Sequence, residues 1–305
     1  MIVAAHMHVW NRLHGRIGGE VALRAVRDGR VRVGDDELLG MPAHMADCNA
    51  LAELAVAEFD AAGVDVGVVV QEYMDGEQND YLLEVRDRFP DRFFLHGLPD
   101  FFDPDHTAEE AFALFDRGFS GLKLSAGHLA GKVQIDDERF LPIYERMEHE
   151  SLVLAADLSE GEEQAAELER ILAHCPALRV AVGHFGLPTR GGWPGQLSLA
   201  RHDHVYLEGG GLVWLYRGEG YPFPGAVEAI RHAIDEVGAH KLMWGSDWPR
   251  TMCDFTYRQS LDFARCSGAL SDEEKTAFLG ANAAGLYGLL SPAEKRAPVP
   301  HITEG

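Results

Sequence analysis

Eight short apolar runs recur along the chain, and a longer stretch separates each from the next. The runs are IVAAHMH (2–8), VDVGVVVQ (64–71), RFFLHGL (92–98), FSGLKLS (119–125), SLVLAAD (151–157), RVAVGH (179–184), HVYLEGG (204–210) and KLMWGSD (241–247). Between them lie helical patterns such as NALAELAVAEFDAAG (49–63), DERFLPIYERMEHE (137–150) and EEQAAELERILAHC (162–175), with Gly or Pro at many joins. Strands that alternate with helices build βαβ units and a parallel sheet. Eight of them in roughly 250 residues favour an α/β fold, a single-domain TIM-like (β/α)8 barrel, with an open doubly wound sheet as the alternative. The barrel is expected over residues 1–290, with a C-terminal extension at 291–305. Residues 9–48, with their glycines and charges, read as a long loop after the first strand, which in a barrel lies over the active face.

The formal net charge of −22, from 49 acidic and 27 basic residues, argues against nucleic acid and anionic membranes as partners. No apolar run approaches the roughly eighteen residues of a membrane span. The N-terminus has no basic region or cleavage site of a signal peptide. Cys48, Cys175, Cys253 and Cys266 are scattered, as reduced thiols in a cytoplasmic protein would be. The expected partner is a small molecule, and a homo-oligomer is left open.

Two H-x-H pairs occur, His6 with His8 and His202 with His204. Composition alone predicts about 0.7 such pairs, so the spacing is weak evidence and position must decide. His6 and His8 lie at the C-terminal end of the first strand, where barrels gather their chemistry. Residues i and i+2 of a strand share a face, so both rings are expected to point into the barrel mouth. His202 and His204 lie at the start of the seventh strand, on the opposite rim, and read as surface or stability histidines.

The other strand ends are polar: Lys123 and Ser125, Asp157, His184, Glu208 and Asp247. Small or apolar residues precede three of them in alternation: Val153 and Ala155 before Asp157, Val180 and Val182 before His184, Met243 and Gly245 before Asp247. An inward-facing stripe reads this way. Closure brings the eighth strand beside the first, about 4.8 Å away, so Asp247 reaches the space before His6 and His8. Two imidazoles and a carboxylate suit one divalent metal ion, zinc or a relative such as manganese, with room for water.

Several motifs fail. AGHLAGKV (126–133) has the wrong spacing for a phosphate loop, and GGG (209–211) lacks dinucleotide spacing. No G-x-S-x-G elbow occurs, and no cysteine ends a strand.

The H-x-H of the first strand, VGHFGLP at the sixth and MWGSDWP at the eighth resemble the amidohydrolase superfamily. More narrowly, with EFDAAGVDVGVVVQ, GLKLS and NAAGLYGL, they resemble its amidohydrolase-related branch of lactonases, decarboxylases and hydratases. The resemblance runs from residue 2 to about residue 290. It implies that His6, His8 and Asp247 are metal ligands, that His184 contacts substrate or attacking water, and that Asp247 takes the water's proton. Members that need metal commonly have a histidine at the end of the fifth strand, where this chain has Asp157. Asp157 then either ligates the metal, or the site works without one, with Asp247 as sole general base. A bridging carboxylated Lys123 does not fit a site lacking that histidine. Lys123 reads instead as a charge for a substrate carboxylate or for Asp157.

The resulting expectation is a hydrolase that opens a sugar-acid or dicarboxylate lactone. Lys123, Glu208, Arg190, Arg217 and Arg250 are candidate contacts for carboxylate or hydroxyl groups. Trp193, Trp248 and Tyr73 are candidate flat surfaces. A decarboxylase or hydratase on the same site is the alternative, and a non-catalytic binding barrel the third.

Overall fold

The computed structural model describes residues 1–289; the expected C-terminal extension at 291–305 lies outside them. Eight strands form the barrel: β1 (Val3–Met7), β2 (Val66–Val69), β3 (Phe93–Leu95), β4 (Gly121–Leu124), β5 (Val153–Ala156), β6 (Arg179–Val182), β7 (Val205–Glu208) and β8 (Leu242–Met243). All neighbouring pairs are parallel. The regular ladders form two arcs, β1-β2-β3 and β8-β7-β6-β5-β4. Single parallel bridges span both seams, Met7 with Trp248 and Gly97 with Leu122. Backbone bonds reinforce them: Ala5 N–H to the Trp244 carbonyl and Lys123 N–H to that of Gly97, each 2.8 Å. The strands thus run around a ring in chain order.

Local chemistry explains the connecting helices. The helix Ala52–Ala62 is alanine-rich and buries Ala52, Ala55, Phe59 and Ala62 along one face. It stops at Gly63, whose φ of 79° ends the helix with a bond from its N–H to the Phe59 carbonyl. Phe59 is fully buried, and truncating such a side chain to Ala costs about 3–5 kcal/mol.

A small inner cluster fills the barrel, with Val3, Ala5, Val66, Val68, Val153, Ala181 and Met243 from the strands. Leu286 and Tyr287, on the helix Asn282–Tyr287, join it. The larger cluster packs the outer strand faces against the helices. Val180 and Val182 belong to this outer layer and Ala181 to the inner one, so the inward stripe expected on the sixth strand is inverted.

Residues 9–48 are not a loop. They hold four antiparallel strands, Arg16–Ile17, Val21–Arg27, Arg30–Val33 and Asp36–Leu39, in that order. VALRAVRDGRVRV folds as a hairpin because Asp28 and Gly29 take positive φ of 51° and 73°, the tight turn that Asp-Gly favours. Leu23 and Val31 are buried.

Candidate active site

Strict alternation would turn His6 outward, because Val3 and Ala5 face the interior. A register irregularity between Ala4 and Met7 resets the phase. Met7 then joins the outer layer, and both imidazoles lie buried at the barrel mouth. His6 fits only because glycine stands opposite: a Cβ at Gly210 would lie 2.4 Å from its ring.

The hydrogen-bond partners assign the tautomers. His6 Nδ1 donates to the Glu208 carboxylate, and His8 Nδ1 donates to the Val70 carbonyl at 3.0 Å. Each Nε2 is left with a lone pair. The two Nε2 atoms lie 3.2 Å apart. Asp247 Oδ1 is 2.9 Å from that of His8 and 3.8 Å from that of His6. Burial pushes the His8 pKa down to about 3, with Arg250 acting in the same direction, so a second proton on that ring is disfavoured. Three electron-pair donors therefore converge in buried space, within 4.8 Å of one another. A divalent cation fits that donor set. His6, Asp157 and His184 form a second such group that shares His6.

Asp247 and His184 reach the site in left-handed conformations, each with φ of 51°. The N–H groups of Ser246 and Asp247 both donate to the His6 carbonyl, at 3.0 and 2.9 Å, which turns the chain there. Burial opposes charge on Asp247, but the surrounding histidines, His8, His6 and His184, hold its carboxyl below the usual carboxylate range. His184 Nδ1 donates to the Gly210 carbonyl at 2.9 Å, and Nε2 lies 3.2 Å from Asp157 Oδ2. Burial alone would lower its pKa; Asp157, backed by Asp247 and Glu208, drives it up to about 10. Asp157 is flanked on its other side by Lys123 at 2.5 Å. Burial works against its charge, and Lys123 and His184 outweigh that. Lys123 also meets Glu72, at 3.3 Å. Burial pushes the Glu72 carboxyl up to about 7 against the pull of Lys123.

The expected site residues separate into three groups. His8, Asp157, His184, Asp247, Arg217 and Arg250 line a cavity of about 790 Å³. His6, Lys123 and Glu208 sit below its surface, buried. Lys123 is therefore a partner of carboxylates rather than a substrate contact. Glu208 binds the His6 ring and the Gly210 N–H, the latter at 2.7 Å, which orients His6 instead of touching substrate. Trp248 is 1% exposed in the core, and Arg190 is exposed; neither is among the residues lining the cavity. The charge of Arg250 is taken by Asp75, and its guanidinium lies over the Trp10 ring at 5.2 Å. His202 binds Glu169 at 2.8 Å and is not among the residues lining the cavity.

Sequence reasoning missed Glu72, Asp75, His128 and Trp214. Glu72 had a signal: QEY directly follows the apolar run of β2. Trp214 had none; its indole N–H donates to Asp247 Oδ2 at 3.0 Å from a short helix, Leu212–Leu215. Ile17, Gly18, Leu39 and Gly40 of the inserted sheet wall the cavity. A second cavity, of about 810 Å³, shares Gly18 and Lys132 with the first and contains none of the converging donors. No helix among the described residues is long and apolar enough to cross a membrane.

Residues 3–289 match the family described as Amidohydrolase. The L-fucono-1,5-lactonase of Burkholderia ambifaria is 31% identical over 201 residues, which cover 62% of this chain and 66% of the relative, just under two thirds of its length. An amidohydrolase from Burkholderia multivorans, solved with bound zinc, superposes with a TM-score of 0.70 at 20% identity, over 95% of this chain and 100% of its own. A probable 2-pyrone-4,6-dicarboxylic acid hydrolase from Acinetobacter baumannii, solved with citric acid, gives 0.69 at 19% identity, over 94% and 99%.

Proposed function

This chain belongs to the amidohydrolase family, and from that premise we propose that it hydrolyses the ring ester of a lactone that carries hydroxyl or carboxylate groups. The observation that carries the reading is the convergence of His6 Nε2, His8 Nε2 and Asp247 Oδ1 beneath a cavity, with a charged His184 beside them.

His6, His8 and Asp247 would hold one divalent ion, zinc or manganese, with Asp157 as a further carboxylate nearby. Such an ion, when bound, polarises the ester carbonyl and acidifies water. The chain's own residues do the rest. Asp247 accepts the proton of the attacking water, since its carboxylate stays charged across the neutral range. The positive charge of His184 stands beside the carbonyl oxygen, where negative charge builds as the water adds. The ring C–O bond then breaks, and the proton held by Asp247 passes to the departing ring oxygen. The product is an open hydroxy acid. Asp157, itself held ionised by Lys123, keeps His184 charged and fixed. Arg217, in the cavity lining, donates to the Trp214 carbonyl at 3.5 Å and supplies a cation for a ring substituent.

The test is turnover of a panel of sugar-acid and dicarboxylate lactones, read as acid release, alongside aromatic acids read as carbon dioxide release. Acid release from a lactone supports the reading. Carbon dioxide release with every lactone inert would move the chain to the decarboxylase alternative.

A further inference from the structure

The segment AGHLAGKV, which fails as a phosphate loop, lies directly after β4 and faces the inserted sheet. Two of its side chains hold one residue of that sheet. The Gly18 N–H donates to His128 Nδ1 at 3.1 Å, and Lys132 Nζ donates to the Gly18 carbonyl at 2.6 Å. Both polar groups of the Gly18 backbone are thus tied to the barrel. Accepting at Nδ1 places the His128 proton on Nε2, and that atom lies 3.5 Å from Glu72 Oε2 inside the site.

The two sides of this contact differ in rigidity. His128 ends a short turn fixed by the Gly127 N–H on the Asp157 carbonyl, 2.8 Å, and by Gln164 Nε2 on the Ala126 carbonyl, 2.7 Å. Gly18 and Gly19 are consecutive residues at positive φ, 58° and 77°, in a turn between two strands. Ile17 and Gly18 form part of the cavity wall.

We propose that His128 is a positioning residue: one ring clamps the inserted sheet at Gly18 and holds Glu72, so that cavity wall and acidic group are set together. The wall opens when the clamp is lost, and substrate then binds a less ordered cavity. The kinetic part of this proposal rests on the lactone-opening reading; the clamp itself does not.

The test compares His128→Leu, which keeps bulk and loses both polar contacts, with His128→Gln, whose amide oxygen can accept from Gly18 while its N–H faces Glu72. The first readout is trypsin cleavage at Arg24, Arg27, Arg30 and Arg32 of the insert, with hydrogen exchange over residues 16–27. His128→Leu should be cut about fivefold to tenfold faster than the parent, the effect of one lost hydrogen bond on local opening. His128→Gln should return most of that protection. The second readout is kinetic: KM should rise about fivefold to tenfold in the Leu variant with kcat within about threefold. Parent-like digestion of His128→Leu, or a Gln variant cut as fast as the Leu variant, overturns the clamp. Faster digestion with unchanged KM overturns its role in the cavity wall. If the parent opens no lactone, the proposed function falls, while the digestion rates still decide the clamp. If His128→Leu fails to fold, Lys132→Met removes the other tie to Gly18 and must show the same faster cleavage.

Discussion

The indole N–H of Trp214 donates to Asp247 Oδ2 at 3.0 Å, which leaves Oδ1 turned toward His8 at 2.9 Å. One side chain thereby divides the labour of the two carboxylate oxygens. Trp214→Phe removes that donor and keeps an aromatic ring. A hydrogen bond to a charged group contributes about 1.5–3 kcal/mol, so kcat/KM should fall about tenfold to a hundredfold. Steady-state kinetics of the folded variant decide this, and an unchanged kcat/KM would mean that Asp247 needs no such restraint.

Asp247→Asn keeps the size and removes the base. The rate should fall about 10²–10⁴-fold, with circular dichroism unchanged. A folded variant near the parent kcat would end the mechanism proposed here. In the parent, the acid fall of kcat/KM should come late, because the Asp247 carboxyl is held below the usual range, and an alkaline fall should come near pH 10 as His184 loses its proton.

Purified protein is expected to hold close to one divalent ion per chain by elemental analysis, and His6→Ala or His8→Ala to lose it. Glu208→Gln is the finer test, because Glu208 hydrogen-bonds the far nitrogen of His6 and the Gly210 N–H. Loss of such an orienting partner weakens metal affinity about 10–100-fold. Parent-like affinity in a chelator titration of Glu208→Gln would show that the His6 ring is held without it.

Glu72 supplies a pH test of stability. Its carboxyl is raised from 4.5 to about 7 by burial. The folded chain therefore binds this proton more tightly than the unfolded chain. Its stabilising contribution is complete below pH 4.5 and is lost as pH rises through 7. Glu72→Gln removes that loss. Melting temperatures from pH 4 to 8 should decline less for the variant than for the parent, and parallel curves would contradict the assignment.

Replacing His202 and His204 together by Gln should leave turnover within about threefold, since exposed substitutions away from a site have small effects. His202 meets Glu169 on the rim opposite the cavity, and His204 is exposed. A loss of several hundredfold in a folded protein would reverse the orientation of the barrel.

The ring of eight strands was legible because alternation of apolar runs and helices is a local, repeated signal. The polar strand ends were legible too, since parallel strands must present their C-terminal ends on one face. That placed His6, His8, Asp157, His184 and Asp247 near one another before any coordinates. The Asp-Gly hairpin of the insert was equally local, and was overlooked among its charges. Tertiary structure alone decided the rest. A strand with period two cannot announce the irregularity that turns His6 inward, nor the positive φ that swings His184 and Asp247 into place. Partner choice was likewise hidden. Glu208 meets His6 across 202 residues of chain, and Asp247 meets His8 across 239. Such contacts exist only when the barrel closes, and closure converted Lys123 and Glu208 from expected substrate contacts into buried supports. The sequence determined which chemical groups stand at the mouth; packing over the whole ring determined which of them face the cavity and which hold the others.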